Sequence, residues 1–164
     1  MKKQRPTIPI FEWRVAINLE ATRDIQNQVG TPAYGCECED CQKWKSCFKD
    51  VLPENIQHEL KRIGVEIENP TDLYQFQEDT EGSNIRVVYH AVGKILSGPN
   101  QWKNDSSLGD MLMYHTVRES PYTSIVVFPQ NQSLDASPIL NNQSAGELIR
   151  IDFRLLIPSS YSSV

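Results

Sequence analysis

Four cysteines in one short stretch are the residues of this sequence best suited to chemistry. Cys36, Cys38, Cys41 and Cys47 follow the spacing C-x-C-x₂-C-x₅-C. Thiolates are good ligands for zinc and for iron–sulfur clusters, and close spacing lets one short loop surround an ion. Gly35, directly before the first cysteine, permits the tight backbone that such a loop needs. The pattern predicts a metal-binding or structural thiol cluster, with zinc favoured over an iron–sulfur cluster.

Acidic residues lie between these cysteines. Glu37, Glu39 and Asp40 add negative potential that attracts a cation. The same charges are expected to raise the thiol pKa values, whereas a reactive cysteine needs a lowered pKa. Cys38 and Cys41 enclose two residues, as in thioredoxin-like redox sites, but no strand is predicted before them. Asp40 as the cap of a helix beginning near Cys41 is the one local feature that favours a reactive thiol.

Whether Cys47 joins the cluster depends on where the following helix begins. Trp44 and Val51 follow Cys41 at helical spacing. If residues 41–51 form one helix, Cys41 and Cys47 are separated by a rise of about 9 Å and a rotation of about 240°, too far to share an ion. Either the helix starts after Trp44 and all four thiols ligate, or Cys47 is a small core residue. Reduced, buried thiols without a metal are the alternative to both.

The elements that must position the cluster form a helical first part and a β-rich remainder. Residues 8–19 alternate as in a half-buried strand, and residues 20–29 favour a short helix ending at Gly30. Residues 53–64 are the clearest helix, with an apolar stripe along one side. Further strands are predicted at 73–77, 85–96, 111–119, 122–128 and 147–157.

This order of elements indicates an α+β fold. We expect a mainly antiparallel sheet of about five strands with two or three short helices, mostly in the N-terminal half. A length of 164 residues suits one domain, spanning 1–164. Within it we expect a Cys-rich loop at 32–50, loops at 97–110 and 129–146, and a mobile tail at 158–164.

Charge and hydropathy argue against two classes of partner. The chain has 21 acidic and 16 basic residues, a net charge of −5, and so lacks the concentrated positive charge that binds nucleic acids and anionic membranes. No run of about 18 apolar residues is present, and Glu12 and Arg14 interrupt the N-terminal apolar segment. We therefore expect a cytoplasmic protein with reduced thiols and a protein partner, without nucleic acid or membrane.

A hydrolytic site is an alternative for the β-rich part. His90 and His115 fall within predicted strands, and Glu119 follows the second of them. If those two strands pair in register, the three side chains converge on one face of the sheet. The simpler interpretation is that each histidine is half-buried among the apolar neighbours of its strand.

Three segments carry a resemblance. They are PAYGCECEDC at 32–41, RIGVEI at 62–67 and YHAVGKIL at 89–96. Together they resemble a group of uncharacterised bacterial proteins, chiefly from bacilli, over roughly residues 10–97. The resemblance implies a bacterial cytosolic protein and adds no fold, activity or ligand.

Three hypotheses about function follow from these observations. The first is a non-enzymatic binding or structural domain whose cysteine cluster binds zinc. The second is an enzyme, either a thiol-dependent redox protein using Cys38 and Cys41 or a small hydrolase. The third is an acidic interaction protein, such as an immunity or antitoxin partner, whose negative charge complements a basic target.

Overall fold

A computed structural model describes residues 6–107 and 109–161. The strands are β1 (Thr7–Ile10), β2 (Trp13–Ile17), β3 (Asp72–Asp79), β4 (Gly82–Ser97), β5 (Trp102–Asp105), β6 (Gly109–Leu112), β7 (His115–Arg118), β8 (Thr123–Pro129) and β9 (Glu147–Pro158). The helices are α1 (Leu19–Asp24), α2 (Glu39–Val51) and α3 (Glu54–Arg62), with 3₁₀ helices at Gln130–Gln132 and Gln143–Ala145. Every pairing between these strands is antiparallel, which confirms the α+β class and the antiparallel sheet.

The long strand β4 organises the sheet. Its residues 82–93 pair with β9 along one side, while β3 and then β2 pair along the other side. The strand order is β1-β2-β4-β9-β8-β7, with β3 beside β4, and β5 and β6 form a separate hairpin. The hairpin predicted between β3 and β4 is confirmed, with its turn after Asp79.

The expected count of about five strands is wrong. Residues 8–19 contain two strands, because the chain reverses at Phe11, whose backbone is left-handed with a φ of 53°. The Phe11 N–H donates to the Glu59 carboxylate at 2.9 Å, which ties this turn to α3. The loop predicted at 97–110 contains β5 and the start of β6. That hairpin lacks an apolar alternation because its described side chains are mostly exposed.

The helices follow local sequence signals, with two differences from expectation. The helix predicted at 53–64 is confirmed as α3, but the one predicted at 20–29 ends at Asp24. Asn18 begins α1, because its side chain accepts the Ala21 N–H at 3.0 Å. The two 3₁₀ helices lie in the C-terminal half, so helical structure is not concentrated as strictly in the N-terminal half as predicted.

The main core lies between one face of the sheet and helices α2 and α3. The fully buried residues on this face of β4 and β9 alternate along each strand, because successive side chains of a strand point to opposite faces. They are Ile85, Val87, Tyr89, Ala91, Ile149, Ile151, Phe153 and Leu155. The helices contribute Trp44, Phe48, Val51, Ile56 and Leu60 to the same cluster.

The opposite face of the sheet is unusually polar for a buried surface. Asp152, fully buried, accepts hydrogen bonds from Arg86 Nε at 3.0 Å, Arg150 Nε at 3.2 Å and the Tyr114 hydroxyl at 2.9 Å. One oxygen of Asp135 lies 3.6 Å from Arg86 and 3.2 Å from Arg150. Strands β4 and β9 are therefore joined on this face by ion pairs as well as by backbone bonds.

The C-terminal segment is docked as far as it is described. The Ser159 N–H donates to the Glu81 carbonyl at 2.9 Å, and Tyr161 packs against the main core. Residues 162–164 of the tail predicted to be mobile lie outside the described residues. Among the described residues, no helix has the length and apolar content needed to cross a membrane.

Candidate metal centre

Three cysteine sulfurs meet at the surface at the start of α2. The Sγ atoms of Cys36, Cys38 and Cys41 all lie within 4.8 Å of one another, and those of Cys36 and Cys38 are 3.0 Å apart. A tetrahedral zinc ion with bonds of about 2.3 Å holds its sulfur ligands about 3.8 Å apart. The three sulfurs are therefore clustered within metal-binding distance.

The first turn of α2 positions two of these cysteines. Cys38 is the N-cap residue, and its Sγ accepts a hydrogen bond from the Cys41 N–H at 3.4 Å. Glu39 and Asp40 occupy the first turn, where the helix dipole favours negative charge. The prediction that Asp40 caps the helix is wrong, because the sulfur of Cys38 holds that position.

Cys36 reaches the cluster from a turn that precedes the helix. The backbone of Gly35 is left-handed with a φ of 64°, which is the tight conformation expected before the first cysteine. The Cys36 N–H donates to the Ala33 carbonyl at 3.1 Å, and the Ala33 N–H donates to the Thr71 carbonyl at 3.0 Å. These two hydrogen bonds hold the turn next to Thr71, the residue before β3. The absence of a strand at residues 28–38 agrees with the sequence.

Helix α2 is held on the sheet by one buried indole. Trp44 Nε1 donates to the Ile67 carbonyl at 3.1 Å and lies 3.0 Å from the Tyr89 hydroxyl. That hydroxyl donates to the same Ile67 carbonyl at 2.5 Å. Because Trp44 is one turn beyond Cys41, these bonds also fix the height and rotation of the cysteine-bearing turn.

The thiols of the cluster differ in acidity. Hydrogen bonds from the Cys38 and Cys41 side chains lower the pKa of Cys36, and nearby Lys45 lowers it further. Burial, followed by hydrogen bonds from the neighbouring thiols, raises the pKa of Cys41. The expectation that the acidic surroundings raise the thiol pKa values is therefore wrong for Cys36. Cys41 needs a bound cation to lose its proton near neutral pH.

Cys47 lies outside this group. It is on α2 six residues after Cys41, which corresponds to a rise of about 9 Å and a rotation of about 240°. Its side chain is buried in the main core, and burial raises its pKa to about 11. Because α2 begins at Glu39 and not after Trp44, the structure matches the arrangement in which three cysteines act without Cys47.

Two features of the centre were not predicted from the sequence. These are the sulfur cap of Cys38 and the proximity of Lys45 to Cys36. A signal for the first was available. Glu39 and Asp40 mark the acidic first turn of a helix, which places the N-cap at the preceding cysteine.

The residues of the hydrolytic alternative are not brought together. Strands β9 and β8 separate β4 from β7, so His90 and His115 do not lie on paired strands. His90 Nδ1 lies 2.8 Å from the Thr71 hydroxyl and its Nε2 lies 2.6 Å from the Gln130 side chain. His115 instead stacks edge-on against Trp13, with its Nδ1 3.6 Å from Glu12. Glu119 is exposed in the turn after β7.

Comparison with known proteins adds no function to this geometry. No protein-family model, no curated protein and no solved structure matches the chain. The resemblance carried by the segments at 32–41, 62–67 and 89–96 therefore stays a prediction.

Proposed function

We propose that this protein is a zinc-binding domain whose ion is held by Cys36, Cys38 and Cys41, in a role that is structural or binding and not enzymatic. The observation that carries the proposal is the meeting of three sulfurs within 4.8 Å at the start of a well-anchored helix. Thiolate is a soft ligand that selects zinc, copper(I) or iron–sulfur clusters over magnesium and calcium. The positive end of the helix dipole further stabilises thiolates at this place.

Zinc fits this ligand set better than an iron–sulfur cluster does. Iron–sulfur clusters are generally held by four cysteine thiolates, whereas Cys47 is buried on another side of α2 and outside the group. Zinc accepts three protein thiolates together with one further ligand. Since Cys41 is embedded in the core while Cys36 precedes the helix, a bound ion would link the turn at residues 33–36 to α2.

The metal content of the untagged protein tests this proposal. We expect about one zinc per chain, because three thiolates from one local segment form a single site. Cys36→Ser and Cys41→Ser should each lose most of the zinc, while Cys47→Ser should keep it. Elemental analysis after exhaustive dialysis, paired with protein quantification, gives the stoichiometry of each variant.

The Cys47→Ser variant is the matched control, since it removes a cysteine from the same helix without touching the group. Loss of zinc from Cys47→Ser equal to that from Cys36→Ser would show that the ligand set is different. A wild-type protein that takes up no zinc after reconstitution under reducing conditions would rule out the proposal.

A thiol redox role is the second candidate, and one observation favours it. The Sγ atoms of Cys36 and Cys38 are 3.0 Å apart, and the pKa of Cys36 is lowered by its thiol neighbours. Oxidation by hydrogen peroxide would join the two sulfurs as a disulfide, with two thiols and one hydrogen peroxide giving the disulfide and two waters. Two results together would favour this role over the first. The protein would bind no zinc, and dilute hydrogen peroxide would remove one hydrogen each from Cys36 and Cys38.

A further inference from the structure

We infer that the metal centre keeps one coordination position open to solvent, and that this position accepts a neutral nitrogen donor of the imidazole class from outside the chain. The inference rests on the proposed zinc site and deepens it by naming the ligand that completes the site. A zinc ion with three protein ligands and one exchangeable position binds an outside ligand, as catalytic zinc sites do, whereas purely structural sites are closed by four protein ligands.

No fourth donor of the usual kinds completes the group from within. Among residues 6–107 and 109–161, no other histidine, cysteine or carboxylate joins the three sulfurs within 4.8 Å. All three histidines of the chain are in those residues and are engaged or located elsewhere. His58 is exposed on α3, His90 is buried between Thr71 and Gln130, and His115 lies beside Trp13.

The open side of the group faces solvent. Cys41 is buried beneath the helix turn, whereas Cys38 is exposed and Cys36 is half-buried. The neighbouring Gly35, Glu37 and Glu39 are exposed as well. An ion held by these sulfurs would therefore contact the protein on its inner side and water on its outer side.

Charge decides which external donor suits the position. A zinc ion with three thiolates carries a net negative charge, and the exposed Glu37 lies between two of the ligands along the chain. This negative charge would repel an anionic ligand, whereas it would not repel a neutral imidazole. A histidine side chain presented by a partner protein has this chemistry.

Cobalt(II) substitution of the untagged full-length chain tests the inference. Cobalt takes tetrahedral thiolate sites and reports its ligands through visible absorption bands. We expect imidazole to shift these bands saturably, with one imidazole per cobalt. Imidazole-4-acetate, which has the same donor and an added carboxylate, should bind about threefold more weakly because of the surrounding negative charge. Glu37→Gln should narrow that difference by about twofold, and Cys47→Ser should respond as the wild type does.

The possible results separate the inference from the proposed function. A protein that binds no cobalt overturns both. A protein that binds cobalt through thiolates, with bands that imidazole leaves unchanged, overturns the inference and leaves the metal site standing, since the fourth ligand then comes from the chain. Equal affinity for imidazole and imidazole-4-acetate overturns the choice of a neutral donor.

Discussion

His90 shows how one buried side chain sets a pH limit on the fold. Its ring is 1% exposed, and both ring nitrogens are bonded, to Thr71 and Gln130. The facing charges are Arg150 and Asp152 on the adjacent strand β9. Burial lowers the pKa of His90 to about 4, because the protonated ring is poorly solvated there. In the unfolded chain the ring keeps its ordinary pKa of 6.5.

This shift predicts a loss of stability in mild acid. Between pH 6.5 and 4 the unfolded chain binds a proton at His90 that the folded chain does not, so acid favours unfolding. We expect the free energy of unfolding to fall by about 2 kcal/mol between pH 7 and pH 5 through this residue. Denaturant titrations at both pH values measure the change.

The contribution of His90 is isolated by variants. His90→Gln should lose much less stability between pH 7 and pH 5 than the wild type does, whatever its stability at pH 7. His58→Gln, at an exposed position on α3, should show the full wild-type loss. If His90→Gln shows the same loss as the wild type, another group carries the pH dependence.

At the scale of elements, α2 shows which features of a helix the sequence pattern indicates and which it leaves open. The apolar spacing of Cys41, Trp44 and Val51 is typical of a helix with one buried side. The loop expected at 32–50 is therefore wrong from Glu39 onward, where α2 begins. The start of α2 was not predicted, although the acidic residues Glu39 and Asp40 mark the first turn, because a cysteine sulfur is an unusual cap. The structure begins α2 at Glu39, and this start leaves Cys47 outside the sulfur group.

The close approach of the paired strands β2 and β4 is a second feature at the scale of elements. Gly93 pairs with Ile17 on one side and with Glu147 on the other. A Cβ atom at Gly93 would lie 1.9 Å from the Ala16 carbonyl oxygen, so the strands approach too closely for any side chain.

Gly93→Ala is therefore expected to destabilise the protein. Relief of the clash requires β2 to move away from β4, and we expect a loss of about 3 kcal/mol, in the upper range for overpacking. Gly30→Ala is the comparison, since nothing lies within 4 Å of its Cβ and only its left-handed φ of 96° opposes the change. Thermal unfolding of both variants compares the two costs; a loss in Gly93→Ala no larger than in Gly30→Ala would contradict the close approach.

At the scale of the whole molecule, a network of charged side chains stabilises the face of the sheet opposite helices α2 and α3. Asp152 is fully buried and balances Arg86 and Arg150, while Asp135 bonds the same two arginines from the loop before β9. Removing one partner of a buried ion pair leaves an uncompensated charge, which costs far more than the net strength of the pair.

Asp152→Ala should therefore lose about 3–5 kcal/mol of stability, because the buried Arg150 guanidinium and the largely buried Arg86 guanidinium lose their main partner. Asp135→Ala should lose less than about 1 kcal/mol, since its side chain is 53% exposed and water replaces it. Denaturant unfolding at low and high salt measures both losses. The loss in Asp152→Ala should change little with salt, because buried pairs are weakly screened; a loss that salt abolishes would contradict the role of this network.

The sequence alone determined the features that depend on near neighbours. The clustering of the cysteines, the helix at 53–64, the β3–β4 hairpin and the last strand all follow from local spacing and periodicity. Only the tertiary structure decided what depends on distant segments. It separated His90 from His115 by two strands, and it buried Arg150 and Asp152, two charged residues of the last strand. It also showed that α2 begins at Glu39, so that Cys47 lies on another side of this helix, buried in the main core, and three sulfurs remain together.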